Sequence, residues 1–384
     1  MKTTIRTLWN SFLILFLGML LAGHADGQIF VSNLAGPGGS SYGSIGVYDT
    51  TTGAPINASL VTLYRPMFIA VSGGNVFVSN ELFDYGTIGE YDATTGATVN
   101  ASLISGLNYP QHMLVSGGNL FVTNSATAYE SNGTIGEYDA TTGAVVNASL
   151  VSGLTFPYGL AVSGGNLFVT VISPNGSTGT IGEYDATTGA VVNASLVSGL
   201  NYPTGIAVSG GNLWVANESA GTIGEYDATT GAVVNASLVS GLSAPTGIAV
   251  SGGNLFVANS GNGTIGEYDA TTGATVNASL VSGLHRPLDI AVMVPQGPQS
   301  ISDLISIISG QSTLNGGQQN SLIVKLQAAQ TSIASGNSTP ACGQLGAFVN
   351  QLNAFQRTGG LDQTTANILI SFVTTLKQSL GCSP

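Results

Sequence analysis

Three observations predict an all-β, six-bladed β-propeller followed by a small all-α helical bundle. The dipeptide Tyr-Asp recurs at Tyr48, Tyr91, Tyr138, Tyr184, Tyr226 and Tyr268, at spacings of 42 to 47 residues. The 20-residue stretch IGEYDATTGAVVNASLVSGL occurs unchanged at 135–154, 181–200 and 223–242. Of 384 residues, 54 are glycine and only 7% are charged. A period in the forties with several apolar runs per unit is the signature of a propeller blade. A glycine-rich, charge-poor composition fits many short strands joined by tight turns. The 43% hydrophobic content supplies a core and excludes a disordered chain. The absence of a Gly-X-Y period excludes collagen.

The first 27 residues read as a secretory leader. Lys2 and Arg6 are followed by an apolar run of 11 residues from Phe12 to Ala22, then by small residues up to Gly27. The run is too short to span a bilayer, and cleavage after Ala25 or Gly27 suits the pattern. No later stretch has membrane length, so an exported chain without a membrane span is expected, secreted or periplasmic.

Residues 28–294 hold the repeats. In the unit PTGIAVSGGNLFVANSGNGTIGEYDATTGATVNASLV, strands are expected at Gly247–Val250, Leu255–Asn259, Thr264–Asp269 and Ala274–Val281. Ser-Gly-Gly-Asn joins the first two. Asp-Ala-Thr-Thr-Gly joins the last two, with the Asp side chain holding the turn and Gly supplying positive φ. Ser-Gly-Gly-Asn occurs five times, at Ser72, Ser116, Ser163, Ser209 and Ser251. The first unit begins at its second strand, Gln28–Asn33, and a lone first strand, Pro287–Val292, follows the last. That strand can complete the first blade and latch the ring, leaving only short sheet edges.

The unit PTGIAVSGGNLFVANSGNGTIGEYD resembles the NHL repeat, a family of six-bladed propellers, over Gln28 to Val294. It departs from that family before the third strand, where Gly-Thr replaces the usual basic residue. The resemblance implies a binding or scaffold module; the family also contains a few lyases, so fold alone does not give function.

After a Pro/Gly linker at 295–299, apolar spacing becomes helical through residues 300–384. The expected faces are Ile301/Leu304/Ile305/Ile308, Leu322/Leu326/Ala329/Ile333, Leu345/Phe348/Val349/Leu352 and Ile368/Leu369/Phe372/Val373/Leu376. Thr339-Pro340 reads as a helix start with Thr as the cap. The only cysteines, Cys342 and Cys382, are expected to form a disulfide. The segment NSLIVKLQAAQTSIASGNSTPACGQLGAFVNQLNAF resembles the FIMAH domain, a helical module of secreted bacterial proteins. That resemblance implies export and no chemistry.

The formal charge is −12. An acidic chain without clustered Lys or Arg argues against nucleic acid as a partner. The repeated Glu/Asp pairs (Glu90/Asp92 and its counterparts) read as strand and turn chemistry, since five copies cannot each be an active site. The Asn of Val-Asn-Ala-Ser fits a glycosylation signal, but a hydrogen-bonding role is favoured.

Function is expected where the repeats differ. Loop lengths vary only on the face that carries the loops before the first strands and after the second strands. The residue before each loop proline reads Arg65, Tyr109, Phe156, Tyr202, Ala244 and Arg286. Two positions after it stand Phe68, His112, Gly159, Gly205, Gly247 and Asp289. Arg65 and Arg286 are the propeller's only basic residues. With Phe68, Tyr109, His112, Tyr158, Tyr202, His285 and Asp289 they form the expected ligand site at the channel mouth. Arginine grips carboxylate or phosphate in a fork, and aromatics stack on sugars or peptide side chains. A purely structural reading pairs the arginines with Asp84 or Asp289. The expected partner is an extracellular protein, peptide or glycan, with no catalytic residues and no cofactor.

The alternative is a metal-dependent lactonase or hydrolase, because six-bladed lactonases resemble this fold and hold a metal in the channel. Asp289 and the asparagines Asn33, Asn80, Asn124, Asn217 and Asn259 would then offer oxygens to Ca²⁺. No Ser/His/Asp motif or phosphate loop is present.

Overall fold

The computed structural model describes residues 27–36, 40–82, 85–125, 132–174, 176–293, 301–309, 311, 313–335, 337–361 and 363–382. The leader up to residue 26 and the 295–299 linker lie outside these residues. The chain divides into two compact units, one of them Gln28–Val294.

That unit is a six-bladed propeller of six four-stranded sheets. Blade one combines the last strand, Pro287–Met293, with Gln28–Asn33, Tyr42–Asp49 and Pro55–Tyr64, all antiparallel. The ring is therefore latched inside one blade, as the split repeat requires. Blades two to six follow in sequence, with inner strands Pro66–Ser72, Pro110–Ser116, Pro157–Ser163, Pro203–Ser209 and Pro245–Ser251. Adjacent inner strands pack side by side around the ring, the last against the first. The first strand of the sixth blade begins at Pro245, two residues before the expected start, because the proline pairs with Asn259 ahead of a bulge.

Both repeated turns are explained by backbone need. Ser251 pairs with Asn254, and Gly252 and Gly253 have φ of +58° and +82°. Two consecutive positive φ values define the two-residue hairpin that Gly-Gly suits. In the other turn, Asp139 Oδ1 accepts N–H groups from Thr141 and Thr142 and the Thr142 hydroxyl, at 2.7–3.0 Å. Its counterparts do the same in every blade. The turn's Gly143 also touches the preceding blade, since a Cβ there would lie 2.0 Å from the Leu103 carbonyl oxygen.

Invariant features inside the blade have packing reasons. The Tyr138 ring lies over Gly136, two residues back on the same strand face, and all six Gly-x-Tyr pairs repeat this. Glu137 accepts a 2.5 Å hydrogen bond from the Asn119 side-chain amide, with equivalents at Glu90, Glu183, Glu225 and Glu267. Blade one has Val47 in place of the glutamate and Gln28 in place of the asparagine, so the acceptor is missing there. Asn147 Oδ1 accepts the Ser149 N–H, which occupies a donor on the exposed outer strand.

The cores lie between blades. One cluster joins Phe168, Ile181 and Val197 of blade four to Ile206, Leu213 and Val215 of blade five. Full burial of each such side chain contributes about 1.5–3 kcal/mol. Hydroxyl groups stitch the inner strands together. Ser32 donates to the Met67 carbonyl (2.6 Å), Thr123 to Tyr158 (2.8 Å) and Thr170 to Thr204 (2.7 Å). In blades five and six the second strand carries Ala216 and Ala258 instead. There Thr204 and Thr246, on the inner strand, donate across to Pro245 and Pro287. The hydroxyl moves between strands while the bond to the next blade is kept.

In the other unit, helices α1 (Ile301–Ser309), α2 (Gly316–Ala334), α3 (Ser338–Arg357) and α4 (Gln363–Ser379) share one core, in which Leu304, Ile308, Leu322, Leu326, Leu345, Phe348, Leu352, Leu369 and Val373 of the expected faces are buried. Helix α3 begins one residue before Thr339, so its N-cap is Asn337 rather than Thr339, and Pro340 sits in the first turn. Helix α2 starts with a capping box between Asn315 and Gln318. Cys342 and Cys382 are disulfide-bonded.

Candidate functional site at the channel mouth

The residue before each inner-strand proline has left-handed backbone. The φ values are +45° at Arg65, +50° at Tyr109, +43° at Phe156, +53° at Tyr202, +48° at Ala244 and +57° at Arg286. Among the described residues these six are the only non-glycine residues with positive φ. Left-handed backbone costs an L-residue roughly 1–2 kcal/mol relative to the right-handed form. A residue before proline normally adopts extended backbone. The strained conformation is held by a recurring bond from the loop after the second strand. Leu34, Ser125, Ile172, Glu218 and Ser260 donate their N–H groups to the carbonyls of Arg286, Tyr109, Phe156, Tyr202 and Ala244, at 3.1–3.2 Å.

After the proline, pairing skips from Pro66 to Ile69, and likewise in blades three to six. Such a bulge takes the two intervening residues out of the ladder and re-aims their side chains. It carries Phe68, His112 and Tyr158 to the channel, where the Phe68 ring meets Tyr158 edge-on at 5.2 Å and His112 at 6.0 Å. Asp289 completes this floor from blade one. Its Oδ2 accepts the Ile69 N–H of blade two at 2.9 Å, and Oδ1 stands 3.7 Å from His112 Nε2. Oδ1 and His112 Nδ1 are buried without a hydrogen-bond partner among the described residues. Burial pushes the Asp289 carboxyl above its ordinary range, opposed first by His112 and then by the Ile69 and Ile290 amides.

Above the floor, charges converge. Burial raises the Tyr158 phenol far beyond its ordinary value, reinforced by Glu218, Tyr202 and Asp289 and opposed by Arg286. Burial also raises Glu218, and Arg286 opposes that shift. Tyr202 rises by burial and by the nearby Glu218. Arg286 of blade one thus opposes the shifts of Tyr158 of blade four and Glu218 of blade five.

The structure brings Phe68, His112, Tyr158 and Asp289 together, and Arg286 and Tyr202 are linked to them through their electrostatic effect on Tyr158. Phe68 and Asp289 are only 2% and 0% exposed, so they form the base of this group rather than a contact surface. Arg65 and Tyr109 occupy ring positions, while the exposed His285 contributes its carbonyl to the Ala35 N–H. Asp289 faces His112 and not an arginine. Glu218 is the residue the sequence reading missed. Its signal was a single acid in the loop Asn217–Thr222, where the next blade has Ser260.

Among the described residues, no three of His, Cys, Asp and Glu are grouped to hold a metal. Of the second-strand asparagines, Asn33, Asn80, Asn124 and Asn259 have Oδ1 atoms buried without a hydrogen-bond partner among the described residues. Asn217 accepts the Asn201 N–H at 3.3 Å, and Asn259 donates to the Thr264 hydroxyl at 3.3 Å.

Comparison with solved structures bears on the fold. The chain is similar to one in the nidogen/laminin complex, at 15% identity and a TM-score of 0.55, covering 70% of this chain and 98% of that one. It is also similar to a protein from Lactobacillus plantarum (14% identity, 70% and 99% covered, TM-score 0.48). A computationally designed protein, Ika8, gives 19% identity, 64% and 71% covered and a TM-score of 0.38. The first match shows the propeller fold. No protein-family model matches the chain, and no curated protein does. The NHL-like and FIMAH-like resemblances rest on their motifs alone.

Proposed function

We propose that this is an exported binding protein whose propeller takes an extracellular protein, peptide or glycan at the channel mouth. One observation carries the reading. Five large side chains occupy left-handed positions where glycine would be relaxed, in a chain whose described residues use glycine at 26 other positive-φ positions. Strain retained at one rim of a fold is a mark of a functional site. The leader, the disulfide and the lack of a described helix long and apolar enough to cross a membrane all fit an extracytoplasmic location. A propeller of the same fold within the nidogen/laminin complex gives a precedent for protein binding on this architecture.

The test is substitution by glycine. Arg286→Gly and Tyr202→Gly preserve the backbone and remove the side chain. Both variants should keep the wild-type melting temperature or exceed it, and both should lose ligand captured from the protein's own extracellular medium. Unchanged capture by the double variant would sink the proposal.

A further inference from the structure

The propeller's only two basic residues stand at one end of blade one. Arg286 and Arg65 hold equivalent left-handed positions before Pro287 and Pro66, which open the neighbouring inner strands of blades one and two. The sheet of blade one runs Pro287–Met293, Gln28–Asn33, Tyr42–Asp49, Pro55–Tyr64. Arg286 precedes its first strand and Arg65 follows its last, so both lie at the same end of an antiparallel sheet. Three strand spacings separate the two positions by roughly 14 Å.

Hydrogen bonds link the segments between them. Leu34 and Ala35 donate N–H groups to the Arg286 and His285 carbonyls at 3.2 and 3.4 Å, Gly36 to the Ser40 carbonyl at 3.1 Å, and Arg65 to the Ser41 carbonyl at 3.0 Å. Tyr42 pairs with Tyr64 across the sheet, and their rings meet edge-on at 5.7 Å. Tyr42 is 61% exposed. His285 and Arg286 are also exposed, while Tyr64 and Arg65 are half-buried.

The charge is one-sided here. The segments 34–43, 62–65 and 282–286 contain no acid, although the propeller holds 16. Six of those are turn aspartates at the opposite end of the blades. Five more are the third-strand glutamates bonded to asparagine amides. Glu218 of blade five feels Arg286 electrostatically, yet no ion pair joins the two. Charges beyond about 8 Å are screened at physiological salt, so a partner at this edge meets the local cations rather than the net charge of the ring. Arg65 already has bonds of its own, but a guanidinium carries five donors and can serve a second carboxylate.

An extended chain rises about 3.4 Å per residue and turns alternate side chains to one side. Residues i and i+4 of such a segment match the span between the arginines, and residue i+2 falls between them, toward the tyrosine pair. Guanidinium grips carboxylate in a fork, and an exposed aromatic ring packs on apolar side chains.

We propose that this edge of blade one docks an extended acidic segment of a partner protein, with one carboxylate on Arg286, a second four residues along on Arg65, and an apolar side chain between them on Tyr42 and Tyr64. This rests on the reading of the same face as the binding surface, and it names the chemistry of the partner.

The test titrates purified full-length protein with the end-capped peptide Gly-Glu-Ser-Phe-Ser-Glu-Gly by calorimetry at low salt. Three probes accompany it: the same peptide with Gln for both Glu, one with Ala for Phe, and trigalacturonate as an anionic glycan. The diacid should bind with Kd of about 1 mM or tighter, and the Gln peptide about tenfold or more weaker. The Ala peptide should lose about threefold or more. Arg286→Gln should weaken the diacid by about tenfold, Arg65→Gln by less because that side chain keeps other bonds, and Tyr42→Ser by about threefold or more. Val234→Ser, on an exposed outer strand, should change nothing. Melting curves check that each variant is folded, and the peptide substitutions read the same contacts on unaltered protein.

Equal binding of the diacid and the Gln peptide overturns the proposal, as does diacid binding that survives both Arg286→Gln and Tyr42→Ser. Tighter binding of trigalacturonate than of the diacid overturns the choice of a protein segment. Absence of diacid binding overturns the acidic segment. It spares the reading of the face if Arg286→Gly still loses the ligand captured from the extracellular medium, and both fail if that capture is unchanged.

Discussion

His112 Nε2 stands 3.7 Å from Asp289 Oδ1, within ion-pair range but beyond a hydrogen bond. The carboxylate oxygen is thus buried facing an imidazole that does not fully satisfy it. Asp289→Asn keeps an oxygen for the Ile69 N–H and removes the buried charge. It should raise stability at pH 7, by on the order of 1 kcal/mol, and leave ligand binding intact. Because burial raises the folded-state pKa of Asp289, the native state holds its proton to higher pH than the unfolded chain does. Stability from this group is present at low pH and lost as pH rises through that window. The advantage of the Asn variant should therefore shrink on acidification. A melting-temperature difference that stays constant from pH 4 to pH 8 would contradict this.

The whole propeller should be most stable in mild acid. The turn aspartates Asp92, Asp139, Asp185, Asp227 and Asp269 are held below their ordinary value of 3.8, mainly by bonds from the Thr three residues on. Their contribution is present above that value and lost as pH falls through the depressed folded pKa. Glu90, Glu225 and Glu267 lie above their ordinary value of 4.5 because of burial. Their contribution is lost as pH rises above that value. The two trends oppose each other and place the maximum at roughly pH 4–5. Melting curves from pH 2.5 to 8 at low protein concentration measure this directly, and a maximum at pH 7 or above would refute it.

Two glycines with the same backbone should respond very differently to alanine. Gly143 has φ +70° and its added Cβ would lie 2.0 Å from the Leu103 carbonyl oxygen. Gly153 has φ +76° and nothing within 4 Å. Gly153→Ala should cost about 1 kcal/mol, from backbone strain alone. Gly143→Ala adds a clash between blades and should cost on the order of 3 kcal/mol or more. Denaturant midpoints compare the two, and equal losses would mean that the contact between turn and preceding blade yields freely.

Most of the fold was legible because a blade is local. Tyr-Asp, Ser-Gly-Gly-Asn and Asp-Ala-Thr-Thr-Gly each encode a contact made within one blade or to its neighbour. The split first unit also disclosed the latch. Comparison of blades found the ring positions before each proline, but nothing in the sequence shows that Tyr109 or Tyr202 is left-handed, since that conformation depends on bonds from a segment distant in the unit. Burial of Phe68 and Asp289 was equally hidden, because a bulge decides which way those side chains turn. Glu218 belongs to the site only through Arg286 and Tyr158, on other blades. Thr339 looked like a cap by its proline, yet the helix gains its first turn one residue earlier.

Loss of the disulfide should act on the helical unit alone. Helix α4 ends in a glycine of φ +70°, Gly381, and the Cys382 N–H bonds back to the Lys377 carbonyl at 2.9 Å. This left-handed cap turns the chain so that Cys382 reaches Cys342, in the first turns of α3. The bridge spans a sequence separation of 40 residues and ties the start of one helix to the end of the next. Constraint of the unfolded chain over such a loop contributes about 2–4 kcal/mol, a large share of what a small helical core supplies. Cys342→Ala/Cys382→Ala, or reductant on the native protein, should lower one calorimetric transition by this amount. The propeller transition, which contains no cysteine, should stay where it is. If both transitions shift together, the two units do not unfold independently and the bridge stabilises more than the helices it joins.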